Sequence, residues 1–315
     1  MEHNQIQIKT AEGQDVFVNT WKGDKEAVAN IVIVHGMAEY SYRYNDFAVY
    51  LTSLGFDVYA EDHLGHGLAV SKRKNPVYGY GVWPKDGFEN SVGQVHALVE
   101  YIHSISDKPV MVFGHSLGSF ITTRFYEEHS DEVKALVICG SAFNNLTYKS
   151  SSILTSVMKI FKGKKAQKKP SHFLTGLSNK SMNKKSVPFK DGYTSNNLWL
   201  SYNEENVRKY DADKECGFEC SFMFFYSMFK GQQKSWKKSS LAEIKVPKDL
   251  LIISGHDDPV GNYGKDVENL YKFFKAFQAN VRFKLYDNMK HEILNETDHL
   301  KVYKDIGEFF LNEIK

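Results

Sequence analysis

The stretch that most constrains this chain is FGHSLGSF at residues 113–120, because it joins a strand to a helix almost without a loop. The residues VMVF are apolar throughout and predict a buried strand, whereas LGSFITTRFYEEH predicts a helix. Gly114 and Gly118 lack the side chains that would collide in so sharp a turn. We expect the turn to expose the Ser116 hydroxyl at the carboxyl end of the strand and at a helix N-terminus, where free N–H groups favour developing negative charge.

Apolar runs elsewhere in the chain predict an open, mostly parallel α/β sheet of eight strands. Runs such as NIVIV, ALVIC and DLLIIS are apolar throughout, as is typical of strands covered on both faces. The first two runs carry interleaved polar residues and predict an exposed antiparallel start. Helical spacing of apolar residues predicts helices on both faces of the sheet. The predicted strands are Gln5–Lys9, Asp15–Thr20, Ala29–Val34, Val58–Glu61, Val110–Phe113, Ala135–Cys139, Leu250–Ser254 and Arg282–Tyr286.

The alternation of strands and helices stops between about residues 144 and 240. We therefore predict a first part of the core at 1–143, a helical cap inserted after the sixth strand at 144–240, and a second part of the core at 241–315. The insertion carries 17 Lys and one Arg against seven Asp and Glu, a net charge of +11.

Two interpretations of this basic insertion are compatible with its sequence. Its apolar helix face, in SSILTSVMKIF, could pack on the core and line a pocket while the lysines are solvated, which we favour. Alternatively, part of that face is exposed and the lysines draw the cap to anionic lipid.

Candidate partners for Ser116 follow it in the chain, as an activated serine requires. A serine hydroxyl needs a base, and the base needs an orienting acid. The loop SGHDDPVG after the seventh strand offers Asp258 as the acid, with Asp257 as the rival. The loop YDNMKHEILNE after the eighth strand offers His291 as the base, with His299 as the rival. Both loops follow strand ends on the side of the sheet where Ser116 is expected.

Two backbone N–H groups are candidates for stabilising an oxyanion. One belongs to Leu117, directly after the serine. The other belongs to Met37, because the His35–Gly36 turn after the third strand can direct its N–H to the same point. Such donors contribute roughly a hundred- to a thousandfold each to the rate.

Composition excludes several classes of function. The net charge of +2 and the lack of a readout motif disfavour nucleic-acid binding. No apolar run approaches the roughly 20 residues that span a bilayer, and the start, MEHNQIQIK, lacks a signal-peptide pattern. Of the three cysteines, Cys139 is expected to be a buried thiol, and Cys216 and Cys220 lack a second ligand pair nearby. We therefore expect a cytoplasmic protein without metal or cofactor.

The segments VHGMAEYSYRY, EDHLGHGLA, FGHSLGSF, SGHDDPVG and HEILNE together resemble the monoacylglycerol lipase and lysophospholipase branch of the α/β-hydrolase superfamily, bacterial type. The resemblance extends from about residue 30 to residue 310 and is weakest in the insertion. It implies the same nucleophile, acid and base, Ser116, Asp258 and His291, and the same oxyanion donors. The chain departs from the family pattern at Tyr40, where histidine is usual, and at Tyr42, where glycine is usual. Ala69 and Gln94 replace a serine and an acidic residue that are common there.

The resemblance implies a serine hydrolase that cleaves carboxylic esters of single-chain lipids through an acyl-enzyme. The substrate is then a small lipid ester, and peripheral contact with anionic membrane through the basic cap is a further expectation. The alternatives are a carboxylesterase for small soluble esters or amides, and a non-catalytic binding protein on the same fold.

Overall fold

All eight predicted strands are present in one sheet of the computed structural model, which describes residues 1–72 and 78–315. Their order across the sheet is β1-β2-β4-β3-β5-β6-β7-β8. Observed strand ends differ from the predicted ones by up to three residues. The strands are β1 (Glu2–Lys9), β2 (Asp15–Lys22), β3 (Ala29–Val34), β4 (Phe56–Asp62), β5 (Val110–His115), β6 (Ala135–Cys139), β7 (Asp249–Gly255) and β8 (Val281–Tyr286).

The pairing of the strands follows the predicted division. β1 pairs with β2, and β2 with β4, in antiparallel fashion, and the remaining neighbours are parallel. β3, β5 and β6 are buried along their whole length, which agrees with their continuous apolar sequences. The register places the carboxyl ends of β3, β5, β6, β7 and β8 at one edge of the sheet.

Helices cover both faces of the sheet. One face packs against α3, α4 and α11, and the other against α1 and α12. The helices are α1 (Asn45–Ser53), α2 (Gly67–Ser71), α3 (Gly87–Ile105), α4 (Leu117–His129), α5 (Asn145–Phe161), α6 (Lys164–Gln167), α7 (His172–Met182), α8 (Glu204–Ala212), α9 (Phe222–Ser235), α10 (Lys238–Leu241), α11 (Lys265–Lys275) and α12 (His299–Glu313). Short 3₁₀ turns lie at Ser41–Tyr44, Ser130–Glu132 and Asn183–Lys185. This is the α/β-hydrolase fold.

The chain between β6 and β7 contains α5 to α10. α9 is the most buried of these helices and packs against α3, α4 and α5. α5 instead leaves an apolar side uncovered, with Leu146 79%, Ile160 79% and Phe161 83% exposed. The interpretation that this apolar face packs entirely on the core is therefore wrong for α5.

The three cysteines are buried free thiols, as expected for Cys139. Within residues 1–72 and 78–315, no helix combines the length and the hydropathy that crossing a membrane requires.

Candidate active site

The turn around Ser116 has the geometry that its sequence predicts. Ser116 adopts a φ of 53° and a ψ of −120°, an uncommon conformation for a residue with a side chain. A Cβ on Gly118 would lie 2.0 Å from the Val34 carbonyl oxygen, and one on Gly114 would lie 2.3 Å from Thr122 Oγ1. Both positions therefore require glycine. The Ser116 N–H donates to the Cys139 carbonyl at 3.0 Å, which fixes the turn to β6.

Asp258 and His291 lie in direct contact. His291 Nδ1 is 2.9 Å from Asp258 Oδ2. The same carboxylate oxygen accepts from the Ser254 hydroxyl at 2.9 Å, and Oδ1 accepts from the Val260 N–H at 2.8 Å. Burial alone would raise the pKa of Asp258, but the His291 charge and these hydrogen bonds lower it below its ordinary value. The carboxylate is thus ionised and orients the imidazole.

The rival residues lie elsewhere. Asp257 accepts from the Tyr202 hydroxyl at 3.0 Å and is partly exposed. His299 contacts the Glu296 carbonyl at the start of α12. Among the described residues, neither forms a hydrogen bond with His291 or Asp258, so the geometry favours Asp258 over Asp257 and His291 over His299.

Ser116 and His291 line one cavity of about 230 Å³. The Ser116 N–H donates to the carbonyl of Cys139, and Gly140 is the next residue. A Cβ built on Gly140 would lie 3.1 Å from His291 Cε1, so Gly140 lies against the His291 ring. His291 Nε2 is buried and has no hydrogen-bond partner among the described residues. A base nitrogen without a protein partner is available for a proton from the serine, and catalytic hydrogen bonds are often long before substrate binds.

The loop after β3 lies against the serine. A Cβ on Gly36 would come within 3.2 Å of Ser116 Cβ. The Gly36 N–H donates to Glu39 Oε1 at 2.6 Å, and the Ala38 N–H donates to His66 Nε2 at 3.3 Å. The Met37 N–H lies between these two donors in the chain and has no acceptor among the described residues.

Leu117, whose N–H is the other predicted oxyanion donor, is the first residue of α4. N–H groups in the first turn of a helix have no acceptor within the helix. Met37 lines the cavity, and Leu117 directly follows Ser116, which also lines it.

A buried ion cluster centred on Arg43 supports both loops, and the sequence analysis missed it. Arg43 Nη1 donates to Glu39 Oε2 at 2.6 Å and to Glu292 Oε1 at 2.7 Å, and Nη2 donates to Glu292 Oε2 at 2.8 Å. Burial opposes ionisation, yet the charge of Arg43 holds the pKa of Glu292 below its ordinary value. Glu39 is two residues after Met37 in the chain, and Glu292 directly follows His291. The three charged residues stand in GMAEYSYRY and HEILNE, but the single sequence does not show that they meet.

His66 is a second supporting residue that the sequence analysis did not assign. Its side chain is fully buried, and burial together with the neighbouring His63 lowers its pKa to about 3. The ring is therefore neutral at pH 7. Its Nδ1 contacts the Leu64 carbonyl, so Nε2 is the acceptor for the Ala38 N–H. Ala38 has a φ of 55°, and this hydrogen bond helps to hold that unusual conformation.

The insertion forms the other wall of the cavity with both polar and apolar side chains. The Trp199 ring lies 4.9 Å from the His291 ring. Phe218 and Phe225 add apolar surface. The remaining side chains from the insertion that line the cavity include Thr175, Ser178, Asn179, Asn196 and Asn197. No residue of SSILTSVMKIF, a segment that the structure describes in full, lines this cavity, so the apolar surface that the insertion supplies there comes from other segments.

Comparison with known proteins agrees with this geometry. The model of the family described as serine aminopeptidase, S33 (Hydrolase_4), matches residues 25–298. The monoglyceride lipase homolog of monkeypox virus is 24% identical over 302 residues, 95% of each chain. The monoacylglycerol lipase of Mycolicibacterium smegmatis is 25% identical over 308 residues, 96% of this chain and 95% of the relative.

Solved structures show the same fold. A thermostable carboxyl esterase from Bacillus coagulans has a TM-score of 0.88 at 23% identity, over 100% of both chains. The monoacylglycerol lipase of Paleococcus ferrophilus has a TM-score of 0.64 at 20% identity, over 99% of this chain and 100% of that one. The comparisons confirm the predicted resemblance to the monoacylglycerol lipase branch of the α/β-hydrolases.

Proposed function

This chain belongs to the serine aminopeptidase, S33 family of serine hydrolases, and on that premise we propose that it cleaves carboxylic esters of single-chain lipids, with Ser116 as nucleophile. The observation that carries the proposal is the His291–Asp258 pair: His291 lines the same cavity as Ser116, and its Nε2 has no hydrogen-bond partner among the described residues. His291 removes the proton from the Ser116 hydroxyl as it attacks the ester carbonyl. Asp258 holds the tautomer and stabilises the imidazolium that forms.

The reaction then proceeds through an acyl-enzyme. The carbonyl oxygen becomes an oxyanion, for which the N–H groups of Met37 and Leu117 are the proposed donors. His291 returns its proton to the leaving alcohol. A water molecule, deprotonated by His291, cleaves the acyl-enzyme and regenerates Ser116.

The lipid-ester substrate class rests on two observations besides the family. The relatives that span nearly the whole chain carry the names monoglyceride lipase homolog and monoacylglycerol lipase. The cavity is lined by Met37, Leu200, Phe218 and Phe225 together with hydroxyl and amide side chains, which suits an ester with an acyl chain and a small polar alcohol.

Hydrolysis of 2-monoacylglycerol, lysophospholipid, p-nitrophenyl esters of rising chain length and amino-acid p-nitroanilides tests the proposal. We expect activity on monoacylglycerol or lysophospholipid that is lost by roughly a millionfold in Ser116→Ala. Ser104→Ala, at an exposed position of α3, is the matched control. A steep fall in rate beyond the shortest acyl chains would support the small-ester alternative, and cleavage of anilides alone would support an aminopeptidase.

The insertion is the proposed site of contact with anionic membrane. Leu146, Ile160 and Phe161 of α5 are largely exposed, and Phe173 of α7 and Val187 are 64% and 71% exposed. Many of the 17 lysines of the insertion accompany this apolar surface in the sequence. Exposed apolar side chains accompanied by lysines are typical of surfaces that insert shallowly into anionic lipid.

Co-sedimentation with vesicles tests this contact. We expect binding to vesicles with phosphatidylglycerol that weakens with salt and weakens in Phe161→Ser. The control is Leu300→Ser, which removes an apolar side chain, 64% exposed, at the start of α12. Equal binding to neutral and anionic vesicles, or binding unchanged in Phe161→Ser, would contradict the proposed surface.

A further inference from the structure

Three side chains far from Ser116 in the chain converge on one point of the surface. His96 comes from the middle of α3, His129 is the last residue of α4, and Glu132 lies in the 3₁₀ turn that follows. His96 Nε2 is 3.1 Å from Glu132 Oε1, and His129 Nδ1 is 3.0 Å from the same oxygen. One ligand atom from each residue lies within 4.8 Å of the other two. The three side chains are about a quarter exposed.

The surroundings hold the two imidazoles in place. Their rings stack at a centroid distance of 3.7 Å, with planes 19° apart, and the Phe125 ring stacks on His129 at 5.4 Å. His103 Nε2 contacts the Glu132 carbonyl at 2.8 Å, which ties the turn to α3. Packing and hydrogen bonds therefore hold the three side chains close together before an ion binds.

The spacing of the ligand atoms suits a small divalent cation. A tetrahedral zinc ion with bonds of about 2.0–2.1 Å separates its ligand atoms by about 3.4 Å. The observed 3.1 and 3.0 Å are slightly shorter, and because an imidazole holds a metal ion in its ring plane, the two stacked rings must turn apart when the ion binds. Glu100 Oε1 lies 3.9 Å from His96 Nε2 on a half-exposed side chain, so a fourth ligand or a water molecule can complete the shell.

We propose that His96, His129 and Glu132 form a binding site for a divalent transition-metal ion of the zinc, cobalt or nickel type. Two neutral imidazoles and one carboxylate are ligands that these ions prefer over magnesium or calcium. α4 has 13 residues, so His129 lies about 18 Å along the helix from its first residue, Leu117. The ion is thus remote from the reacting atoms. It clamps the end of α4 to α3 and stabilises the helix that supports the Ser116 turn.

Our sequence-based expectation of a chain without metal considered only the cysteines. His96 is separated from His129 by a strand and a helix, and only the His129–Glu132 spacing is local. The three ligands meet because α3 and α4 pack side by side on one face of the sheet. No short motif contains them.

Titration of the EDTA-treated full-length protein with Co²⁺ and Zn²⁺ tests the site. We expect one equivalent of Co²⁺ to give the visible d–d bands of a tetrahedral complex, and Zn²⁺ to displace it and raise the Tm. His129→Gln and Glu132→Gln should each weaken binding by at least about tenfold. His256→Gln removes a half-exposed histidine that also neighbours a carboxylate, and it should bind as the wild type does.

The outcomes separate this proposal from that of lipid-ester hydrolysis. Absence of stoichiometric binding, or binding that is unchanged in both ligand variants, would show a hydrogen-bonded cluster only and overturn the site. Circular dichroism of the variants distinguishes lost ligands from a lost fold, and Glu132→Gln keeps the size of the side chain. Ester hydrolysis at saturating substrate reports on Ser116 independently, because the ion lies outside the cavity.

Discussion

Replacement of Arg43 by methionine should destabilise the protein strongly, because it leaves two buried carboxylates without their cation. Arg43 is 11% exposed, and its partners Glu39 and Glu292 are 5% and 3% exposed. Removal of one member of a buried ion pair costs about 3–5 kcal/mol. Dividing that loss of free energy by the unfolding entropy of the chain, about 2 cal/mol/K per residue, gives a fall in Tm of roughly 5–8 °C. Arg43→Lys keeps the charge but loses the two parallel hydrogen bonds to Glu292, so its loss should be smaller.

The pH dependence of the difference between wild type and Arg43→Met identifies the cause. Burial alone would raise the pKa values of Glu292 and Glu39. Arg43 lowers the pKa of Glu292 instead, and a hydrogen bond with His115 together with Arg43 lowers that of Glu39. In the wild type this stabilisation is present above the unfolded pKa of about 4.3 and is lost as the pH falls through the lower folded values. In the variant, burial raises both pKa values, so protonation relieves the destabilisation as the pH falls from about 7 to 5.

Thermal unfolding at pH 5, 6, 7 and 8, together with kcat for an ester substrate, measures both effects. We expect the difference in Tm to be largest at pH 7–8 and to narrow toward pH 5. We also expect kcat to fall by about tenfold to a hundredfold, because Glu39 and Glu292 adjoin the proposed oxyanion donor and base. A Tm within 1 °C of the wild type, or a difference that does not vary with pH, would refute the argument that the arginine neutralises buried carboxylates.

Three further predictions concern the site. Asp258→Asn should lower kcat by roughly ten-thousandfold with an unchanged circular dichroism spectrum, since the imidazole loses its orienting acceptor. Asp257→Asn, the control, should retain most activity. A large loss in Asp257→Asn and a small one in Asp258→Asn would exchange the roles of the two residues. His66→Phe removes the acceptor of the Ala38 N–H and should lower kcat by about tenfold with little change in KM. Equal changes in kcat and KM would indicate a role in substrate binding. Gly118→Ala, whose Cβ would lie 2.0 Å from a carbonyl oxygen, should fail to give folded protein at 37 °C, and a folded, active variant would show that the turn can relax.

Sequence reasoning predicted the parts of this protein that local chemistry determines. β3, β5, β6 and β7 were predictable because parallel strands buried on both faces require uninterrupted apolar residues, and the Ser116 turn because only glycine fits at 114 and 118. The pairing of Asp258 with His291 followed from the order of the loops at one edge of the sheet.

Features that depend on packing between distant segments were not predictable. Nothing in the single sequence indicates that Arg43 contacts Glu292, which is 249 positions away. The same holds for the covered and uncovered sides of α5. Its apolar residues follow helical spacing whether they face α9 or solvent, so the exposure of Phe161 had to come from the structure.

The insertion combines a part that is fixed to the catalytic loops with a part that faces outward. Glu296, 2% exposed, accepts from the Ser201 hydroxyl at 2.7 Å and from the Lys290 N–H at 2.8 Å. The Glu292 N–H donates to the Leu200 carbonyl at 2.7 Å. These buried hydrogen bonds attach residues 200–203 to the loop that carries His291, and breaking them would leave a buried carboxylate unsatisfied. Residues 200–203 should therefore keep their contacts with the His291 loop, whereas α5 and α7, which present the exposed apolar side chains, are not attached by these bonds.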